Sequence, residues 1–449
     1  MFKFSKATKD IIVVGFAIFA IFFGAGNLIF PPWIGQLSGS AWFAGLMGLV
    51  ITGIALPILA VVAVGNGGGT FKDLTQPVAP WFYKVYNFLI MICLGFLITH
   101  PRVGAVAYET GVRTLLPNVN QSILQPVALI VFFGLAAYFS INSSKVVDKV
   151  GEILTPILLV TLSIIIGLAI FRPIGAPVDT GIENAFYSGF INAYQIGDVL
   201  TGLLCGVIFI NALKDKGYGP TTEKLGITTL LKSCLVAFTL LTFVYGGLEY
   251  LGATGGSLFE QGTDQTVLLI GLVRNLGGSL ITYTLAICVV VACLTTSTGL
   301  MSVLAGYIND TTKEKIPYKA AVVIVAVVAV IQAMGGVAKI IVIAGPIFMF
   351  VYPLSIVLVL LGCFKKFIPN DGIWKGTILA ASIIGLYDGM SIVSAIAGFS
   401  LPSGLTAAYN AIPLASQGFA WIVPVMVFGT VGYFISKNNE ARKSNKNTA

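Results

Sequence analysis

The sequence predicts an all-α, polytopic membrane protein of about twelve transmembrane helices, and three observations carry that reading. Of 449 residues, 57% are hydrophobic and only 10% are charged, with a mean hydropathy of +0.94; a soluble globular chain carries about 25% charged residues. Apolar segments recur at helical spanning length, about 20 residues for a ~30 Å hydrocarbon layer, without the period-two alternation of a barrel. The basic residues sort by loop, as a multi-pass topology requires.

In chain order the spans read 10–38, 41–65, 81–112, 122–141, 150–171, 187–213, 226–252, 278–308, 318–335, 337–362, 373–398 and 406–435. With the N-terminus inside, 21 of the 26 basic residues fall on inside segments. Only Arg113, Arg172, Arg274 and Lys339 fall outside, and Arg102 lies within the third span. That asymmetry sets both termini in the cytoplasm. It also explains the net charge of +8 without a nucleic acid. The lipid bilayer and a small-molecule substrate are the expected partners, with no obligatory protein partner. The six cysteines show no metal or disulfide spacing. The first apolar run lacks a cleavage site and reads as a permanent anchor. Residues 1–449 form a single membrane domain; the segment 253–277, with Glu260 and Asp264, is expected to be an extracellular lid, and the basic tail 437–449 to be disordered.

The first span is interrupted. An apolar run from Ile11 to Phe23 meets Gly24-Ala25-Gly26-Asn27-Leu28-Ile29-Phe30-Pro31-Pro32. Lipid cannot satisfy the backbone groups a break releases, so a broken membrane helix implies something that uses them. The sixth span is also rich in glycine, with Gly189, Gly197, Gly202 and Gly206. Paired breaks in corresponding positions mark secondary transporters. Five spans separate the two, so the second copy is inverted: repeat one covers about 10–171, repeat two about 187–362, and helices eleven and twelve, about 373–435, are appended.

Each break offers N–H groups that suit a carboxylate and carbonyls that suit a cation or an ammonium. A zwitterionic amino acid presents both charges. The N–H groups of Ala25, Gly26 and Asn27 are expected to hold the carboxylate. Thr201, Gly202, Leu203, Leu204 and Cys205 are expected to line the apolar pocket at the second break, with Tyr194 as a cap.

Other polar residues inside spans are costly and point to function. Asp198 reads as a gating or proton-pathway group near the outer end of the broken sixth helix, where water reaches it. Arg102 needs a partner, either Asp198 or Glu109, which lies two helical turns along the same face. His100, the single histidine, reads as structural, and Asp388 as an interface residue. No HExxH, GxSxG or paired catalytic acids occur, so no catalytic residue is assigned and an enzyme is not expected. A channel would show pore-lining rings, which are not evident.

The stretch Gly15 to Pro32, with Pro101-Arg102, Asp198 and Thr295-Thr296-Ser297, resembles the bacterial branched-chain amino acid transporters, the BrnQ or LIVCS family, over essentially the whole chain. The resemblance implies sodium- or proton-coupled import of leucine, isoleucine and valine across the bacterial cytoplasmic membrane, and the LeuT-like fold of the amino acid–polyamine–cation superfamily. A same-fold transporter of another small amino acid or a nucleobase is the alternative. Gly24-Ala25-Gly26-Asn27 and Ala292-Cys293-Leu294-Thr295-Thr296-Ser297 are also similar to motifs of the neurotransmitter–sodium symporters. That likeness implies a sodium ion held by the carbonyls of Ala20, Phe23 and Ala292 and the hydroxyls of Thr295 and Thr296, with no organic cofactor. Such an oxygen set suits a small hard cation.

Overall fold

The computed structural model describes residues 5–141, 145–221 and 223–447, and every regular element among them is helical. Lys3 and the last two residues of the expected tail lie outside the described residues. The helices follow the spans read from hydropathy: α1 (Lys6–Phe22), α2 (Ala25–Ser38), α3 (Trp42–Leu49), α4 (Leu56–Gly67), α5 (Phe82–Met91), α6 (Thr99–Val106), α7 (Gln121–Ile141), α8 (Lys145–Phe171), α9 (Ala185–Asn192), α10 (Asp198–Asp215), α11 (Lys224–Gly255), α12 (Gln265–Thr311), α13 (Tyr318–Ala333), α14 (Gly336–Cys363), α15 (Asp371–Ala397), α16 (Ser403–Asn410) and α17 (Ile422–Asn447). Among the described residues, seven helical runs are long and apolar enough to cross a membrane, and an eighth qualifies if the bent pair Ala185–Ile196 and Asp198–Asp215 is one span.

Three differences from the sequence reading have local causes. The twelfth span does not begin at residue 406. Residues after α16 turn through Leu414 and Gly418, both at positive φ, and the helix restarts only at Ile422. It then continues to Asn447, through the stretch expected to be disordered, where Lys, Glu, Ala and Arg are good helix formers. The expected lid 253–277 is mostly helical: the first turns of α12 run outside the span until Gly278, at φ 68° and ψ −170°, breaks the axis. Gln36 ties this region to the first span by donating to the carbonyls of Gly256, Phe259 and Glu260 at 3.2–3.3 Å.

The helices form two groups. Spans one, two, six and seven make a bundle in which α1 and α2 pack on α11, α3 on α9, and α4 on α10. In the second group α7, α8 and α13 pack on α12, while α15 and α17 pair on the periphery against α14. Backbone-to-backbone packing holds α2 to α11. A Cβ on Gly252 would lie 1.8 Å from the Pro32 carbonyl oxygen, and one on Gly35 would lie 1.9 Å from that of Glu249. Small residues permit such approach where water supplies no driving force between helices.

Span three is wound unevenly. Two π-helical segments, Ile92–Leu97 and Ala107–Val112, flank α6. Each π turn holds a surplus residue and rotates the downstream residues about the helix axis.

Gly252→Ala should lower the thermal midpoint of the detergent-solubilised protein, at a cost of about 1–3 kcal/mol for overpacking. Gly404→Ala, where the added Cβ meets nothing within 4 Å, should leave it unchanged or raise it. Equal midpoints for the two variants would rule out the close α2–α11 contact.

Candidate functional site

The first break lies at Phe23–Gly24. Phe23 (φ −86°, ψ 84°) and Gly24 (φ −109°, ψ −170°) leave the helical region, and α2 restarts at Ala25. The Asn27 side chain folds back, its Oδ1 accepting from the Gly24 N–H at 3.0 Å. The second break lies at Gly197, whose φ of 87° is left-handed and favours glycine. The helix on either side bends by 51°. The Gly197 N–H donates to the Tyr352 hydroxyl at 3.1 Å, and Tyr194 stacks on the Tyr352 ring at 4.1 Å.

The breaks meet through three side chains. Asn27 Nδ2 donates to Asp198 Oδ2 at 2.7 Å and to the Tyr245 hydroxyl, which also hydrogen-bonds Asp198. Asp198 opens α10, where the helix dipole favours a carboxylate. Arg102 lies across the same junction. Its Nη1 donates to the Gln195 carbonyl at 2.5 Å and its Nη2 to the Ile196 carbonyl at 3.2 Å, and the guanidinium lies 5.4 Å from the Phe30 ring centroid.

The structure revises several expectations from sequence. Thr201, Gly202, Leu203 and Cys205 follow the second break in the first two turns of α10, and of these the Thr201 N–H bonds the Gly197 carbonyl at 3.4 Å. Gly202 serves packing, since a Cβ there would lie 2.5 Å from the Pro57 carbonyl oxygen of α4, and Leu203 is fully buried. Of the carboxylate-binding set, the Asn27 N–H bonds the Gly24 carbonyl at 3.2 Å. Gly26 lies in the first turn of α2, where its N–H faces the helix's N-terminal end. Asp198 is buried at the junction rather than near a wet outer end. Arg102 makes no direct ion pair among the described residues, although the expected partner Asp198 lies near enough to act on its charge. The π turn over 107–112 carries Glu109 off the Arg102 face, to accept from the Val337 N–H at 3.0 Å and the Thr266 hydroxyl at 2.9 Å.

The expected cation ligands divide similarly. Phe23, Gly24, Ala292 and Thr296 line one small cavity between the first break and α12. Ala20 is exposed on α1 and does not line it, and neither does Thr295. Both hydroxyls, of Thr295 at 2.9 Å and Thr296 at 3.0 Å, donate to the Ala292 carbonyl, leaving oxygen lone pairs for a cation. His100 is held by Ser297 at 3.1 Å, linking α6 to α12. Asp388 accepts from Tyr409 at 2.5 Å. Tyr245 and Tyr352 were not singled out in the sequence, although each is a tyrosine inside an apolar span, beside Gly246-Gly247 and Pro353 respectively.

Residues 7–439 match the family described as branched-chain amino acid transport protein. Among curated proteins, the chain is 35% identical to the branched-chain amino acid permease BraB of Bacillus subtilis, covering 97% of each chain. It is 33% identical to the permease BrnQ of the same organism, covering 95% of this chain and 96% of that one. Among solved structures, MhsT in complex with L-phenylalanine is similar at 16% identity and a TM-score of 0.54, covering 86% of this chain and 97% of that one. Mhp1 in its inward-facing conformation is similar at 13% identity and a TM-score of 0.52, covering 86% and 92%. These two likenesses establish the shared transporter fold.

Asn27→Ala removes the amide bond to the Asp198 carboxyl and frees the Gly24 N–H, so it should destabilise the detergent-solubilised protein by about 1–3 kcal/mol. Tyr245→Phe, which keeps the amide bond to Asp198, should cost less. A larger loss of melting temperature in Tyr245→Phe would overturn the central place given to Asn27.

Proposed function

The chain belongs to the family of branched-chain amino acid transport proteins, and from that membership we propose that it is a secondary active symporter importing leucine, isoleucine and valine with a coupling cation. It is a multi-pass membrane transporter and not an enzyme. Both termini face the cytoplasm of a bacterial cell membrane in this reading, which the 21-to-4 distribution of basic residues supports. The two repeats, about 10–171 and about 187–362, alternate access around the junction of the breaks.

The observation that carries the proposal is the meeting of two helix breaks at Asn27, Asp198 and Arg102. The amino acid carboxylate faces the N–H groups of Ala25 and Gly26, where the dipole of α2 and the Arg102 charge both attract an anion. Leucine, isoleucine and valine differ by single methylenes, worth about 1–3 kcal/mol each in an apolar pocket, so one pocket serves all three. The cation sits where Phe23 and Gly24 face Ala292 and Thr296. The Ala292 carbonyl and the Thr296 hydroxyl there suit sodium; a proton carried on the buried Asp198 is the alternative coupling ion. One charge moved down the membrane potential supplies about 2.3 kcal/mol per 100 mV.

The test is uptake of radiolabelled leucine into proteoliposomes under separately imposed sodium and pH gradients, with valine, isoleucine and alanine as competitors. A sodium gradient should drive accumulation, and valine and isoleucine should compete better than alanine. Accumulation driven by the pH gradient alone would exclude sodium. Thr296→Ala should weaken sodium stimulation far more than protein abundance, and an unaltered sodium dependence would remove Thr296 from the cation site.

A further inference from the structure

The second break has a carbonyl end as well as an N–H end. The short 3-10 turn Ala193–Ile196 finishes the first half of span six, and its last carbonyls carry the negative end of the local dipole. An open break would draw a free cation there. In this protein a side chain is already in place. The Arg102 guanidinium donates to the Gln195 and Ile196 carbonyls and lies over the face of Phe30. It is 2% exposed, and no carboxylate among the described residues comes within ion-pair distance. An arginine keeps its charge at any physiological pH. With no carboxylate in direct contact, it takes its hydrogen bonds from backbone carbonyls and lies on an aromatic face, as an alkali ion or an ammonium would, while the Asp198 carboxyl acts on it from a longer distance.

Gly26 makes room for this arrangement. A Cβ at that position would lie 3.1 Å from Arg102 Nη2, so a glycine in the first turn after the first break admits the cation that closes the second. The guanidinium comes from span three, outside both broken helices, and so ties one repeat to the other.

We infer that Arg102 is a built-in cation: it occupies the carbonyl end of the second break in place of a free ion, leaving the cavity between the first break and α12 as the single seat for a coupling cation. The inference rests on the symport reading above and fixes its stoichiometry at one cation for each amino acid.

Charge and leucine fluxes measured together in proteoliposomes should give one charge per leucine, with a sodium Hill coefficient near one. Arg102→Ala, losing two charge-assisted hydrogen bonds, should bind leucine about tenfold or more weakly, and millimolar guanidinium chloride should restore binding where choline chloride does not. Arg102→Lys should retain more uptake than Arg102→Gln. Two charges per leucine in the wild type, or wild-type binding by Arg102→Ala, would overturn the assignment. If Arg102→Ala does not survive purification, equal uptake by the Lys and Gln variants would overturn it instead. Failure of the symport reading has a different signature: the wild type would accumulate no leucine, while guanidinium would still raise the melting temperature of Arg102→Ala.

Discussion

Lipid offers no hydrogen bonds, so every backbone group released at Phe23–Gly24 and at Gly197 has to find its partner in the protein or in what the protein carries. Much of the central architecture follows from that demand. Asn27 returns to the Gly24 N–H and reaches across to Asp198. Tyr352 takes the Gly197 N–H, and Arg102 takes the carbonyls that end the first half of span six. The breaks are therefore joined points, held by side chains from spans one, three, seven and ten, rather than loose interruptions.

This economy also explains where the glycines sit. Gly197 supplies a left-handed backbone, and Gly26 gives space to a guanidinium. Gly35, Gly202 and Gly252 let neighbouring helices approach to backbone contact. Three different physical uses of one residue type run through spans one, six and seven. A reading by glycine content alone merges them.

That merging marks the limit of what was legible in the chain. Hydropathy and charge asymmetry located most helices within a few residues, because membrane thickness and the cost of burying charge act on composition directly. The break at Gly24 was legible from Asn27 and the prolines beyond it. The second break was displaced to Thr201–Cys205 because Gly202 and Gly206 look the same in sequence as Gly197, and only packing against α4 tells them apart. The pairing of Arg102 with Glu109 followed from an ideal helical pitch. The π turn at 107–112 breaks that pitch, and no residue pattern announces it. Tyr245 and Tyr352 became site residues only through contacts from distant spans.

The π turns of span three have a mechanical meaning. Each holds one residue more than an α-helix accommodates, and such a surplus can pass along a helix by exchanging one hydrogen bond at a time. Because α6 is bounded by surplus on both sides, its angular setting differs from that of one continuous α-helix, in which each residue adds about 100°. Span three thus presents Arg102 to the second break at an angle that depends on a surplus at either end of α6.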